Sequence, residues 1–117
     1  MGVTSVDGTV TGPEGKQCSL RFLMDSGATY SLLPPECWQA IGLEPRREME
    51  FRLADGSAMR RKISECRLTL PQGETHTPVI LGVEGDQPLL GVVTLENLGV
   101  VFNPFTRTLQ PMQMLLV

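Results

Sequence analysis

Asp25 is the residue of this 117-residue sequence best placed to do chemistry. It ends the apolar run Phe22-Leu23-Met24. Three small residues follow, Ser26, Gly27 and Ala28, before apolar character resumes at Tyr30, Leu32 and Leu33. A carboxylate at the mouth of a hydrophobic stretch suits general acid or base work. Other reactive side chains are less well arranged. His76 is the sole histidine and has no nucleophile-elbow pattern near it, so it reads as a strand or turn residue, and a Cys37–His76 nucleophilic pair lacks support. Cys18, Cys37 and Cys66 are odd in number and widely spaced. They match neither a zinc site nor a redox motif. They read as reduced, buried or half-buried thiols, which favours a reducing, cytoplasmic compartment. Met24, Met112 and Met114 read as apolar packing. With no Walker loop, dinucleotide fingerprint or zinc spacing, neither a cofactor nor a metal is expected.

The elements that must position Asp25 are mostly strands. Cys18 to Met24 alternates partly, with Cys18, Leu20 and Phe22 on the covered side, and reads as a strand leading into Asp25. Val3, Val6 and Val10 suggest strand character around an Asp7-Gly8 turn, with a second turn at Thr11–Lys16. Pro34 to Pro45 predicts one short helix: prolines at its entrance, Glu36 in its first turn, Trp38 and Ile41 on one face, Gly42 at its end. Met49, Phe51 and Leu53 alternate before Asp55-Gly56, a hairpin turn. Ile63, Cys66, Leu68 and Leu70 continue beyond it, with a phase change near Glu65 that a bulge would absorb. A strand follows the Pro71–Glu74 turn, with Pro78 expected near its start. Leu89 and Leu90 form a very short strand into Gly91. Thr94 to Leu98 forms a short helix capped by Gly99, and a hairpin turns at Asn103-Pro104. The apolar tail Gln110–Val117 would be exposed if unpartnered and fits better as a strand paired with another chain. A faint echo relates the halves: strand, "DSGA", strand and helix in the first; strand, "LLG" and helix in the second.

Bulk composition fits a single domain, residues 1–117, with a modest core. Apolar residues make up 41% and charged residues 20%, as in an ordinary globular protein. The formal net charge of −3 speaks against a nucleic-acid surface. Arg60, Arg61 and Lys62 read as an exposed strand or turn. No apolar window of about 20 residues suggests a membrane span, and the first ten residues lack the basic-then-apolar order of a secretory signal.

"LMDSGATYSLLP", Leu23 to Pro34, closely resembles the active-site loop of the retroviral-type aspartic proteases, and the order of elements from Val3 to Leu109 resembles their small single-domain cellular members. By that resemblance Asp25 matches the catalytic aspartate. Ser26 matches the following hydroxyl residue, Gly27 the glycine of the motif and Ala28 the small residue behind it. Phe51 to Ser57 looks like the flap, with Ala54, Asp55, Gly56 and Ser57 at its tip. Pro88 to Gly91 resembles the second apolar-apolar-Gly signature. Leu23, Leu33, Leu90 and Gly91 would form the support beneath the site. The sequence departs from the family in four places. The flap tip is not glycine-rich, and it lacks the tyrosine of the pepsin flap. Val92 stands where viral enzymes usually carry a bracing arginine. The helix after Pro34 is extra to the minimal viral enzyme.

The resemblance implies an all-β, retropepsin-like closed barrel with one or two short helices, acting as a homodimer. Aspartic peptidase chemistry needs two carboxylates sharing one proton, one activating a water and the other donating to the scissile carbonyl. This sequence has one such loop, so a C2 dimer would set Asp25 beside its own symmetry mate, with the tails at the interface. Gly27 would allow close approach of the two loops, and Ser26 would link them. The implied substrate is an extended peptide or protein, with no nucleic acid or membrane as partner. A non-catalytic dimerisation or peptide-binding module of the same fold is the alternative, and a domain of a longer protein is a third.

Overall fold

The computed structural model describes residues 4–25 and 27–116. Nine strands and two short helices are seen among them. In chain order the elements are β1 (Ser5–Thr11), β2 (Gln17–Met24), β3 (Ser31–Leu33), α1 (Pro35–Ala40), β4 (Arg47–Arg52) and β5 (Ala58–Leu70). β6 (Gly73–Leu81), β7 (Leu89–Leu90), α2 (Val92–Leu98), β8 (Val100–Asn103) and β9 (Thr108–Pro111) complete them. The main sheet runs β1-β2-β7-β3-β6-β5-β4, and β1 also pairs with β5. That last pairing closes six strands into a ring and leaves β4 outside it. β5 makes both arrangements possible because it is thirteen residues long. Its Ala58–Ile63 half pairs with β4, and its Arg67–Thr69 stretch pairs with β1. The fold is all-β, with two short helices.

The echo between the halves has a counterpart in the topology. β2 runs parallel to β7, β3 runs parallel to β6, and β3 meets β7 antiparallel at Leu32↔Leu89 between them. Each half thus contributes a long strand, a short strand and a helix in the same order. Exchanging the halves maps one parallel pair onto the other.

The alternation of β2 buries Phe22 completely and half-buries Cys18 and Leu20. These join Val10, Leu33, Cys37, Ile41, Leu68, Val79 and Leu90 in the main core. A smaller cluster of Leu32, Ile63 and Ile80 is flanked by half-buried Tyr30, Met49, Phe51 and Leu89. α1 begins behind Pro34, and Gly42 takes φ +78° just after it, a left-handed turn that glycine accepts without cost. Trp38 sits over the junction of the two halves, its Nε1–H donating to the Gly82 carbonyl at 2.9 Å.

Three local expectations are corrected. Asp7-Gly8 is no turn: β1 runs straight through it in register with β2. Gly8 is there for close packing, since a Cβ would lie 2.7 Å from Leu70 Cδ2 and 3.1 Å from Phe22 Cε2. The phase change near Glu65 is not a bulge, because the β5–β6 register is unbroken from Ile63↔Ile80 to Leu70↔Gly73. At Ile63 and Ser64 both faces of β5 are covered, and from Glu65 on one face is exposed. Ser64, Cys66, Leu68 and Leu70 alternate onto the larger core side, while Ile63 points into the smaller cluster. Pro78 lies well inside β6, opposite Glu65 and one residue before β6 begins pairing with β3.

Candidate functional site

Asp25 follows the last residue of β2 directly, and its position is held from both sides. Met24, the residue before it, donates its N–H to the Thr4 carbonyl at 2.9 Å and pairs with Leu90 of β7. The Asp25 N–H points to the Leu90 carbonyl at 3.4 Å. The loop then folds back on itself. The Asp25 carbonyl accepts the Ala28 N–H at 3.0 Å, and its Oδ1 accepts the Gly27 N–H at 2.9 Å. A carboxylate accepting a backbone N–H two residues on closes an Asx-type turn, which fixes the side-chain rotamer. Asp25 is solvent-exposed in the single chain and, among the described residues, takes part in no salt bridge. Ser26 lies outside the described residues.

The next residues are clamped to α2. Ala28 and Thr29 present their carbonyls to the N–H groups of Val92 and Val93 at 2.9 and 3.0 Å. Those amides belong to the first turn of α2, where a helix has no internal acceptor for them, so the Asp25 loop serves as the helix's cap. The approach requires Gly91. A Cβ there would lie 2.5 Å from the Tyr30 carbonyl carbon and 2.7 Å from both the Thr29 and Tyr30 oxygens. Leu33 and Leu90 are wholly buried behind this junction, Gly91 is buried with them, and Leu23 is half-buried. Of the four residues expected as support, Leu90 and Gly91 touch the loop itself, and Leu23 and Leu33 lie in the strands β2 and β3 on either side of it.

Sequence reading missed the polar core of this support. Ser31, Thr77 and Thr94 are buried hydroxyls from three elements. Ser31 Oγ accepts the Gly91 N–H at 3.0 Å and lies 2.6 Å from Thr94 Oγ1, which lies 2.8 Å from Thr77 Oγ1. Thr77 Oγ1 also lies 3.3 Å from the Pro78 carbonyl oxygen. Each hydroxyl has one proton and can both donate and accept, so the three form a continuous run in which either direction satisfies the Ser31–Thr94 and Thr94–Thr77 contacts. The run goes Gly91 N–H, Ser31, Thr94, Thr77, with the Pro78 carbonyl beside its far end. It ties the loop after Asp25 to α2 and β6, beside Val92, where the expected arginine is missing. The signal in the sequence was a hydroxyl at an otherwise apolar position in each element, but nothing in their spacing brings the three together.

The Phe51–Ser57 hairpin stands on the β4–β5 pair. Its tip is internally bonded. Asp55 Oδ1 accepts the Ser57 N–H at 2.9 Å and the Ser57 hydroxyl at 2.6 Å. These bonds lower the pKa of the Asp55 carboxyl. Arg52 Nη1 donates to the Gly56 carbonyl at 2.9 Å, and Gly56 takes φ +89°. Ala54 completes the exposed tip. The base of the hairpin meets the Asp25 side of the molecule at Tyr30. Its ring packs edge-on against Phe51, with centroids 6.0 Å apart and planes at 71°, and its hydroxyl accepts from Arg47 Nη2 at 3.1 Å. On the other strand Arg61 Nη1 donates to Asp86 Oδ2 at 3.0 Å in a largely buried ion pair.

Sequence comparison bears on this arrangement directly. The model of the gag-polyprotein putative aspartyl protease family matches residues 7–97, which takes in β1 to most of α2. The chain belongs to that family. The match covers the Asp25 loop, the hairpin and the Leu89-Leu90-Gly91 stretch together, and a protease-type function follows from membership in general terms. No match to the curated proteins was found. The family segment ends before β8, so the β8–β9 hairpin and the tail lie beyond it. In the single chain Gln110 and Pro111 end β9, and residues 112–116 form no strand, with Met114, Leu115 and Leu116 strongly exposed. No helix among the described residues is long and apolar enough to cross a membrane.

Proposed function

We propose that this chain is an aspartic endopeptidase that hydrolyses peptide bonds as a homodimer, through Asp25 and the Asp25 of a second copy. The observation that carries the reading is the exposed Asp25 carboxylate, oriented by the Gly27 N–H on a loop clamped to a rigid floor. Such clamping suits a group that must hold its geometry through a reaction. Two carboxylates a few ångströms apart share one proton, because both cannot ionise cheaply. The ionised one takes a proton from the attacking water. The protonated one donates to the scissile carbonyl, giving a tetrahedral gem-diol with no acyl-enzyme. In this reading Ser26 links the two loops across the dimer axis. Gly27 and Ala28 let them approach, and Leu23, Leu33, Leu90 and Gly91 support them. The Ala54–Ser57 tips close over an extended peptide and exclude water. The apolar tail from Gln110 to Val117 pairs with the second chain. The whole chain works as one domain, needs no cofactor and acts in the cytoplasm.

The deciding experiment is a peptide-library digest of wild type beside Asp25→Asn, with sedimentation of both. Wild type should cleave and sediment at twice the chain mass. Asp25→Asn should sediment identically and lose at least ~10³-fold in kcat, the upper part of the range for removing a general acid–base group. Cleavage at full rate in Asp25→Asn, or by a strictly monomeric wild type, overturns the proposal. A wild type that binds extended peptides without cutting them makes the chain a binding module of the same fold.

A further inference from the structure

We propose that Tyr30 is a positioning residue that pins the base of the flap to the loop carrying Asp25, leaving only the tip beyond Phe51 free to open. The inference rests on the endopeptidase reading for its kinetic consequence but not for the pin itself. Tyr30 is five residues beyond Asp25 on the same loop, and its backbone is immobilised twice. It is wedged against Gly91, where no Cβ would fit. It also leads straight into β3, whose Ser31, Leu32 and Leu33 pair with Val79, Ile80 and Leu81 of β6. From that fixed base the side chain reaches β4, three places away from β3 in the sheet order. Its ring meets Phe51 edge-on, and its hydroxyl accepts the Arg47 guanidinium N–H.

Arg47 and Phe51 are four residues apart on β4, so one tyrosine holds the strand near both ends. β4 needs this because it lies outside the closed ring and, among the described residues, pairs with β5 alone. The opposite strand has its own anchor in Arg61–Asp86, and Asp86 also accepts the Val83 N–H at 2.8 Å. That anchor sets the hairpin against the segment leading into β7. The tip has the contrary character. Its bonds from Arg52, Asp55 and Ser57 are all internal to the hairpin, so it moves as a preformed unit over a fixed base. A flap hinged this way meets substrate already aligned with Asp25. Loss of the pin therefore weakens binding of substrate and leaves the chemical step nearly intact.

The test compares Tyr30→Phe, Arg47→Gln, the double variant and Arg47→Lys in the full chain. Amide hydrogen exchange is read across 47–59, and KM and kcat are read on a cleaved peptide. Each single change removes the same hydroxyl–guanidinium bond and retains the ring. Each should speed exchange in β4 about 2- to 10-fold and raise KM by a similar factor, with kcat within about twofold. The double variant should be no worse than either single one, since both remove one bond. Arg47→Lys, which keeps a donor, should recover part of the loss. Unchanged exchange in β4, fully additive singles, or a fall in kcat with KM constant each overturn the pin. A wild type that cleaves no peptide would fail the endopeptidase reading instead, and exchange alone would then decide the pin.

Discussion

Replacing Thr94 by valine tests the buried hydroxyl run behind the site. The two side chains have nearly the same shape, so no cavity forms in the fully buried site and the change is almost purely one of hydrogen bonding. Thr94 Oγ1 bonds Ser31 Oγ at 2.6 Å and Thr77 Oγ1 at 2.8 Å, donating one of the two bonds and accepting the other. Valine leaves one neighbour's proton without an acceptor and the other neighbour's oxygen without its donor. A stranded buried donor costs about 1–3 kcal/mol, and each ordinary bond contributes about 1 kcal/mol net. The extra buried methyl offsets about 0.8 kcal/mol. The balance is a loss of about 2–3 kcal/mol. With an unfolding entropy of about 2.1 cal/mol/K per residue, 117 residues give about 0.25 kcal/mol/K, so Tm should fall by about 10 °C. Urea unfolding at fixed protein concentration should show a lower midpoint with an unchanged slope. Thr94→Ser keeps the hydroxyl and loses only the methyl, so it should cost less, about 1 kcal/mol. A Thr94→Val protein as stable as wild type, or a serine variant less stable than the valine one, would refute the bonded run.

Gly91→Ala should destabilise by at least about 1–3 kcal/mol, because its Cβ would sit 2.5 Å from backbone at Tyr30. A urea midpoint equal to wild type would show that the loop and α2 are less tightly clamped than their hydrogen bonds indicate. The buried thiols should make the fold sensitive to alkali. Burial, then the neighbouring Glu65, pushes Cys66 up to about 12 from its ordinary 9.0, and burial, then the contact with Cys18, pushes Cys37 up strongly. These folded-state values are raised, so the stabilisation is complete below pH 9. It falls as pH rises, since the unfolded chain releases protons that the folded chain keeps. The slope is about 1.4 kcal/mol per pH unit for each thiol. Urea midpoints measured between pH 8 and 10.5 should decline above pH 9, and Cys66→Ala should roughly halve the slope. A flat profile in wild type would contradict thiols held neutral by burial.

What the sequence disclosed was local. Asp25 with its small neighbours, the Asp55-Gly56 turn and the Pro34–Gly42 helix each rest on residue types whose conformational limits act within a few positions. Gly56 at φ +89° and Gly42 at φ +78° are direct cases. The misreadings came from contacts made over distance. Gly8 looks like a turn residue, yet it is required by Leu70 and Phe22, which reach it from other strands. The phase of β5 looked broken because a one-faced strand was assumed, whereas Ile63 and Cys66 serve two different clusters. Ser31, Thr77 and Thr94 carry no mutual spacing that would announce a bonded chain. Tyr30 read as the return of apolar character, and only the folded hairpin reveals Arg47 and Phe51 as its partners.

The ring closure between β1 and β5 has a consequence for how the protein behaves in a crowded solution. Where β1 meets β5 at Thr9–Thr11 the two strands cover each other's hydrogen-bonding edges, whereas β4, which pairs with β5 alone, keeps one edge uncovered along its length. That strand carries Arg47, Glu48, Glu50 and Arg52, all exposed, around the half-buried Met49 and Phe51. Charges of both signs along the edge deter a stray strand from docking in register, as charged edge strands do generally. The same edge still offers backbone amides and carbonyls to a short extended segment whose own charges suit it. Self-aggregation through the β4 edge is thus discouraged by the charges that the strand itself carries.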